Sequence, residues 1–282
     1  MTSPQYGQIL REFGIYPKKR LGQHFMIDPA LLRSIAALMI PDEGRFVAVE
    51  IGAGIGTLTR ELAARAQRVY ALEMDRDLAP AIERTTEGLS NVQIIWGDAL
   101  DFDLSGETVS RDNPEAPLIL CGNLPYYVTS EIMYTALVKR AHWNRMAFVV
   151  QEEVGERIVA TPGSGDPGRL SLWCRYRARV AIEKRISKGS FIPRPDVESC
   201  LVTLELKRDF PLTVAEEALL DVISRAVFSK RRKTVQNGLR QVVPDRDVLT
   251  SLLEKAAIAP TRRPEEISAE EFVRLTKVIA AQ

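Results

Sequence analysis

The chain has little of what ties a small secreted or metal-bound protein together. Its three cysteines, Cys121, Cys174 and Cys200, are odd in number and scattered through 282 residues. Such a set supports neither a disulfide framework nor a zinc knuckle, and it points to a reducing compartment, the cytoplasm. No metal site is visible among its possible ligands. Long apolar runs are also missing. The longest, Ile35 to Ile40, falls far short of the ~20 residues a membrane-spanning helix needs. The opening MTSPQYGQILREFG has no basic patch leading into an apolar stretch, so no signal peptide is expected. Internal repeats are absent, and 38 basic against 37 acidic residues leave a net charge of only +1. What remains is 45% hydrophobic and 27% charged, close to the globular average, which excludes a disordered, collagenous or coiled-coil chain. The length suggests two domains, or one with an appendage.

The near-zero net charge hides an uneven distribution. Arg169 to Arg194 holds eight basic residues and one acid, and Arg225 to Arg240 holds six and none. Glu73 to Glu115 holds eleven acids and three arginines. Charge runs are commonly solvated surface. Two separate basic stretches are equally what a protein with a polyanion-facing side would carry at a moderate pI.

Strand and helix signals alternate through the first half. Asp28 caps a helix that begins with Pro29 and carries Leu31, Leu32, Ile35, Leu38 and Met39 as its stripe. Buried strands are expected at Phe46–Ile51, Arg68–Leu72, Val92–Trp96, Leu118–Cys121 and Met146–Val150. Helices are expected between them, around Leu58–Ala66, Leu78–Arg84 and Ser130–Arg140. This pattern predicts an α/β, doubly wound, mostly parallel sheet. Two later stretches alternate at period two, Leu170 to Ile182 and Cys200 to Leu206, and read as adjacent antiparallel strands closing the sheet. Ser105–Pro117 and Thr161–Gly168 read as loops. Beyond Pro211 only helices are expected: Ala215–Phe228, Val235–Val242, Asp247–Ala257 and a last one opened by the capping box Ser268-Ala-Glu-Glu271. The boundary falls between a domain of residues 1–208 and a small all-helical domain of 209–282.

Gly52-x-Gly54-x-Gly56 lies between a buried strand and a helix, and Glu73 ends the next strand. Bare backbone at a strand end lets a cofactor lie close, and a carboxylate one strand over can accept from both ribose hydroxyls. A dinucleotide fingerprint would have its third glycine at position 57, which is Thr57, and no P-loop lysine follows. Glycines at alternate positions instead resemble the S-adenosylmethionine site of class I methyltransferases. There Asp98, just past the third strand, would accept from the adenine amine; taken alone it reads as a turn aspartate.

Asn123-Leu124-Pro125-Tyr126 follows the fourth strand. An exocyclic adenine amine has its lone pair delocalised into the ring, so its methylation needs acceptors aimed at the amine hydrogens. The Asn123 side-chain carbonyl and the backbone carbonyl after it, left open because Pro125 cannot continue the ladder, supply them. Tyr126 supplies a stacking face for a base taken out of its helix. No strong general base is needed against a sulfonium electrophile.

With Lys19-Arg-Leu-Gly-Gln-His-Phe25, Glu50-Ile-Gly-Ala-Gly54, Asn123-Leu-Pro-Tyr-Tyr127, Phe191-Ile-Pro-Arg-Pro-Asp-Val-Glu-Ser199 and Phe228-Ser-Lys-Arg-Arg-Lys-Thr234, the chain resembles the ribosomal RNA adenine N6,N6-dimethyltransferases of the small subunit. The resemblance runs from about Lys18 to Ile279. It implies a class I, Rossmann-like methyltransferase domain that uses S-adenosylmethionine. The cofactor would be bordered by His24 and Met26, with Gly52 and Gly54 at its methionine portion. Glu73 and Met74 would meet its ribose, and Asp98 and Ala99 its adenine. Asn123 would lie beside the transferred methyl, with Leu124, Pro125 and Tyr126 completing the catalytic corner. The family often has Asn at position 24, so the His24 side chain, its backbone alone, or only a structural histidine fits there. Phe191 would close a sandwich with Tyr126 over the target base, or else be buried under a proline-stiffened turn. Lys18, Lys19 and Arg20, with Lys230, Arg231, Arg232 and Lys233, would contact RNA phosphates.

The resemblance implies two adjacent dimethyladenosines in the 3′-terminal hairpin loop of small-subunit rRNA, made on an immature subunit by a monomer without membrane partners. The rivals are the macrolide-resistance type acting on large-subunit rRNA, a DNA adenine methyltransferase, and a non-catalytic assembly factor.

Overall fold

The computed structural model of the chain describes residues 3–138, 142–229 and 233–282. In chain order its elements are α1 (Ser3–Glu12), β1 (Phe25–Met26), α2 (Pro29–Met39), β2 (Val47–Ile51), α3 (Thr57–Ala63), β3 (Arg68–Glu73), α4 (Ala79–Thr86), β4 (Val92–Trp96), α5 (Glu107–Asp112), β5 (Leu118–Asn123), α6 (Thr129–Val138), β6 (Arg145–Gln151) and α7 (Glu152–Val159). They continue with α8 (Arg169–Arg177), β7 (Ala178–Ile186), β8 (Phe191–Ile192), β9 (Ser199–Leu206), α9 (Val214–Phe228), α10 (Val235–Leu239), α11 (Arg246–Lys255) and α12 (Ala269–Ala280). The chain divides into two compact units, Met1–Gly155 with Ala181–Leu206, and Glu156–Val180 with Lys207–Gln282.

In the first unit β2 is buried at every position, which suits a central strand covered on both faces. It pairs in parallel with β3 on one side and β5 on the other, Glu50 standing level with Ala71 and Cys121. The seven-stranded order is β4-β3-β2-β5-β6-β9-β7. The strands from β4 to β6 pair in parallel, and β9 joins β6 antiparallel from Arg145↔Glu205 to Gln151↔Ser199. The strand order reverses between β2 and β5. Their carboxyl ends therefore diverge and leave a crevice, the position at which doubly wound sheets take ligands. Asp28 opens α2 by accepting from the amides of Ala30 and Leu31 at 2.9 and 3.3 Å. The stripe Leu32, Ile35, Ala36 and Met39 then enters the core.

The helices of the second unit begin where the sequence signals them. Thr213 and Glu216 cap α9 reciprocally at 3.3 and 2.7 Å, and Ser268 and Glu271 cap α12 at 3.2 and 2.8 Å. Burial of Trp173, Leu220, Ile223, Leu249, Leu253 and Phe272 forms its interior.

Three expectations need correction. Residues 170–177 belong to α8 and only Ala178–Ile186 is strand. Leu172, Cys174 and Tyr176 are buried as the alternation required, but so are Ser171, Trp173 and Arg177 between them. A helix enclosed on most sides presents no polar face, so apolar spacing alone mistakes it for a strand. The stretch 105–117 contains α5, with Val109 its buried residue, too short to show an apolar period. Glu156–Val180, expected in the first domain, groups with the C-terminal helices.

Candidate active site

A cleft opens at the carboxyl ends of β2, β3 and β5. The elements converging there bring together His24, Met26, Gly52, Gly54, Glu73, Met74, Asp98, Ala99 and the whole of Asn123–Tyr126.

The glycine loop is fixed by backbone and carboxylate. The amides of Gly52 and Ala53 both donate to the Leu72 carbonyl, at 3.0 and 2.9 Å. That of Gly54 donates to Glu73 Oε2 at 2.8 Å. Gly54 has φ of 59°, and a Cβ there would stand 3.1 Å from the Phe25 ring, so both conformation and space call for glycine. Glu73 Oε1 accepts from the Asp75 amide at 2.8 Å. Burial pushes the Glu73 carboxyl above its ordinary range, against the opposing pull of the Asp75, Gly54 and Met74 amides. Asp98 is exposed; its Oδ1 accepts from the Leu100 amide at 2.9 Å. It is therefore both a turn aspartate and a cleft residue.

Glu50, which the sequence reading left without a role, lines the same cleft at 1% exposure. The Thr59 hydroxyl donates to its Oε2 at 2.6 Å, while Oε1 has no hydrogen-bond partner. Burial, with the nearby Glu73 carboxylate adding to it and the Thr59 bond opposing it, raises its pKa to about 8. Glu50 is thus a neutral acid at pH 7, its unpaired oxygen at the edge of the cleft.

At the other end, the Asn123 carboxamide donates through Nδ2 to the His24 carbonyl at 3.0 Å. That bond orients the amide and leaves Oδ1 to accept. The Leu124 amide donates to the Val149 carbonyl at 3.2 Å; its own carbonyl accepts no hydrogen bond among the described residues. Tyr126 is half-buried, its hydroxyl 2.8 Å from Ser199 Oγ, and burial raises its pKa although the Ser199 bond opposes this. The ring stacked on Tyr126 is that of His24, centroids 5.7 Å apart and planes at 23°. Phe191, by contrast, is 3% exposed, sits in the apolar core and does not line the cleft. Its strand β8 pairs antiparallel with β1, Met26 opposite Phe191, which turns the ring inward. The sandwich with Tyr126 is therefore not formed by Phe191 in this structure.

The segment before β1 is tied down by contacts that no local pattern reveals. Lys18 Nζ lies 2.6 Å from both Asp75 and Asp77, and Gln23 Nε2 donates to Asp75 Oδ2 at 2.8 Å. Despite burial, which acts the other way, the Lys18 and Gln23 bonds hold Asp75 below the usual carboxylate range. Lys18 thus works as a strap. Lys19, Arg20 and Lys233 are exposed, and Lys230, Arg231 and Arg232 lie outside the described residues. Part of the basic run from Arg169 is spent on ion pairs within the protein, Arg169 with Asp221, Arg177 with Glu217 and Arg185 with Glu152, while Arg179 and Arg194 are exposed. Among the described residues no cluster of three or more potential ligands could hold a metal.

The donors and acceptors suit a cofactor that carries a nucleoside and a cationic head. They offer bare backbone at Gly52 and Gly54, a fixed carboxylate at Glu73, an acceptor at Asp98 and the orphaned Glu50 oxygen.

The family model described as Ribosomal RNA adenine dimethylase matches residues 16–281. The chain is 39% identical over 279 residues to Ribosomal RNA small subunit methyltransferase A of Pelotomaculum thermopropionicum, covering 95% of this chain and 93% of that one. It is 36% identical over 275 residues to the protein of the same name from Moorella thermoacetica, covering 96% and 95%. Among solved structures, a dimethyladenosine transferase from Plasmodium falciparum superposes with a TM-score of 0.71 at 20% identity, covering 89% of this chain and 96% of that one. At that identity the likeness speaks for the fold.

Proposed function

The chain belongs to the ribosomal RNA adenine dimethylase family, and on that premise we propose that it transfers methyl groups from S-adenosylmethionine to N6 of two adjacent adenosines in the 3′-terminal hairpin loop of small-subunit rRNA. The product is N6,N6-dimethyladenosine. The observation that carries this reading is the convergence, in one cleft at the switch point of the sheet, of Glu73 and Asp98 with the open acceptors of Asn123 and Leu124. Membership at 36–39% identity over nearly the whole chain favours it over the large-subunit, macrolide-resistance alternative.

S-adenosylmethionine, when bound, supplies a methyl group on a positively charged sulfur, an electrophile strong enough to react without metal or base. Gly52 and Gly54 would let its methionine portion lie against backbone. Glu73 would accept from the ribose hydroxyls and Asp98 from the adenine amine, with Met74 and Ala99 packing beside them. His24 and Met26 would border it from the strap. Asn123 Oδ1 and the Leu124 carbonyl would accept the two N6 hydrogens of the target base and draw the nitrogen toward tetrahedral geometry, freeing its lone pair for in-line attack. Pro125 holds that carbonyl out of the ladder, and Tyr126 holds the ring. The proton leaves to water after the methyl has moved; in the second round the N6-methylated amine has one hydrogen left, which only one of the two acceptors can hold, and that proton leaves to water in turn. Exposed Lys19, Arg20 and Lys233 would contact phosphate, as would Lys230, Arg231 and Arg232 in the same sequence run. The substrate is an immature small subunit, met by a monomer in the cytoplasm; among the described residues no helix is long and apolar enough to cross a membrane.

The test is transfer of labelled methyl from S-adenosylmethionine to immature small subunits, followed by nucleoside analysis. The expected result is N6,N6-dimethyladenosine at two adjacent positions. Label confined to large-subunit rRNA would favour the alternative, and no transfer with tight subunit binding would leave a binding factor.

A further inference from the structure

Exposed aromatic rings are concentrated at one place on the molecule. Among the described side chains, the aromatics left in solvent are Phe13, Tyr16 and Tyr127, at 37%, 83% and 59% exposure. Two of them lie on the strap that precedes β1, and the third touches it. A Cβ at Gly22 would stand 3.4 Å from the Tyr127 ring, and Gly22 and Tyr127 both line the cleft. Tyr16 precedes Gly22 by six positions, which keeps it within about 20 Å of the cleft mouth.

Tyr16 is exposed on backbone that is held from both sides. Helix α1 ends at Gly14, whose φ is 60°. The Gly14 amide donates to the Arg11 carbonyl at 3.2 Å and the Ile15 amide to the Leu10 carbonyl at 2.8 Å, the paired bonds that stop a helix sharply at a left-handed glycine. Ile15 then packs against the core that holds Ile9 and Leu10. Beyond Pro17, the Lys18 amide donates to Gln23 Oε1 at 2.8 Å, and its Nζ reaches Asp75 and Asp77, each at 2.6 Å. With Ile15 and Lys18 anchored, the Tyr16 ring between them is presented outward. A tyrosine kept in water forfeits the burial its size would bring, and here a fixed backbone keeps it there. Lys19 and Arg20 follow, exposed and without an ion-pair partner among the described residues. Glu12 is the single acid between Arg11 and Arg20.

We propose that the strap from Phe13 to Arg20 is a binding surface for an unpaired stretch of the rRNA beside the target adenosines, with Tyr16 stacking on a base and Lys19 and Arg20 meeting the phosphates. An exposed ring next to free cations is what a single strand needs, since every base has a face to stack and every linkage a charge. A duplex keeps its bases stacked on one another and offers the ring nothing. This surface lies outside the catalytic corner. It rests on the proposed function for its substrate and adds a second place at which that substrate is held.

The test compares wild type with Tyr16→Ala, Tyr16→Phe and a double Lys19→Ala, Arg20→Ala protein. Each would be titrated with labelled immature small subunits by filter binding at several salt concentrations. Ultraviolet cross-linking with peptide mapping would find the nucleotide beside Tyr16. Tyr16→Ala should weaken binding about tenfold while keeping the slope of log affinity against log salt, because stacking releases no counterions. Tyr16→Phe should bind as wild type does, since the ring face is retained. The double charge variant should lower the salt slope by about 1–1.5. The cross-link should fall on a nucleotide that reacts with single-strand-specific probes in the immature subunit. Unchanged melting of Tyr16→Ala would report that it folds. Wild-type affinity in Tyr16→Ala would overturn the proposal. So would an equal loss in Tyr16→Phe, which would make the contact one of the hydroxyl, or a cross-link confined to paired RNA or to ribosomal protein. A wild type that shows the expected binding pattern but makes no dimethyladenosine would sink the proposed function and leave the binding surface standing.

Discussion

Each unit buries a glutamate, and the two are treated in opposite ways. Glu217 of the helical unit has every opportunity for pairing filled. Arg177 donates to Oε1 and Oε2 at 2.8 and 3.0 Å, and the Tyr176 hydroxyl donates to Oε1 at 2.8 Å. The guanidinium is in turn covered by the Phe210 ring, 4.3 Å from its centroid. Glu50 of the sheet unit has one hydroxyl on one oxygen and nothing on the other. The rest of the cleft is left short in the same sense, at Asn123 Oδ1 and the Leu124 carbonyl. Buried polar atoms are costly when unpaired. A protein that saturates one glutamate and starves its counterpart is using the first for architecture and keeping the second available to a ligand.

The largest expected effect comes from breaking the saturated site. Arg177→Met strands the Glu217 carboxylate and should destabilise the protein by about 3–5 kcal/mol, read as a lower urea midpoint. A loss below about 1 kcal/mol would mean the pair is not architectural.

The starved site should reveal itself through pH. Glu50 keeps its proton in the folded protein up to about 8, against 4.5 for the free group. Between those values the folded state binds more protons than the unfolded one, so stability falls as pH rises through this window. It levels off above it, after a loss of up to roughly 5 kcal/mol. Glu50→Gln should shrink that slope and make the variant the more stable protein at pH 8.5, as followed by urea titrations across pH. Glu73, raised in the same direction by burial, will keep part of it. A slope unaltered by the substitution would place the titration elsewhere.

Asn123→Ala sharpens the contrast by removing an open acceptor. It should lower methyl transfer by about 10²–10³-fold while thermal melting moves by no more than a degree or two. The smallest effect belongs to the strap. Lys18→Ala removes partly exposed ion pairs with Asp75 and Asp77, of a kind that solvent screening leaves with little weight in global stability. It should show mainly as weaker S-adenosylhomocysteine binding by calorimetry, and a large fall in global stability would contradict that assignment.

What could be read from the sequence follows the range over which each feature is decided. The β2–Gly52 turn, Glu73 at the end of β3 and the Asn123–Tyr126 corner are local arrangements of strand, glycine and proline, and all three converge in the cleft. The caps at Asp28 and Ser268 are local in the same way. The α8 segment reads as a strand because burial on most sides removes the polar face that marks a helix. Lys18 with Asp75, Asn123 with the His24 carbonyl, and His24 with Pro193 join residues 57, 99 and 169 positions apart, and nothing in either partner's neighbourhood announces the other. Glu50 could have been singled out, since an acid inside an otherwise apolar strand is anomalous. The orphaned oxygen, however, belongs to the packing and not to the pattern.

The strap also has a consequence for the order in which the protein is made. His24 needs Asn123 and Pro193, and Phe25–Met26 need Phe191–Ile192, so this stretch leaves the ribosome long before its partners have been synthesised. One wall of the cleft is translated first and secured last. A nascent chain shorter than about two-thirds of the protein carries the glycine loop and the Asn123 corner but still lacks Pro193 and β8, the partners of the His24 ring and of β1.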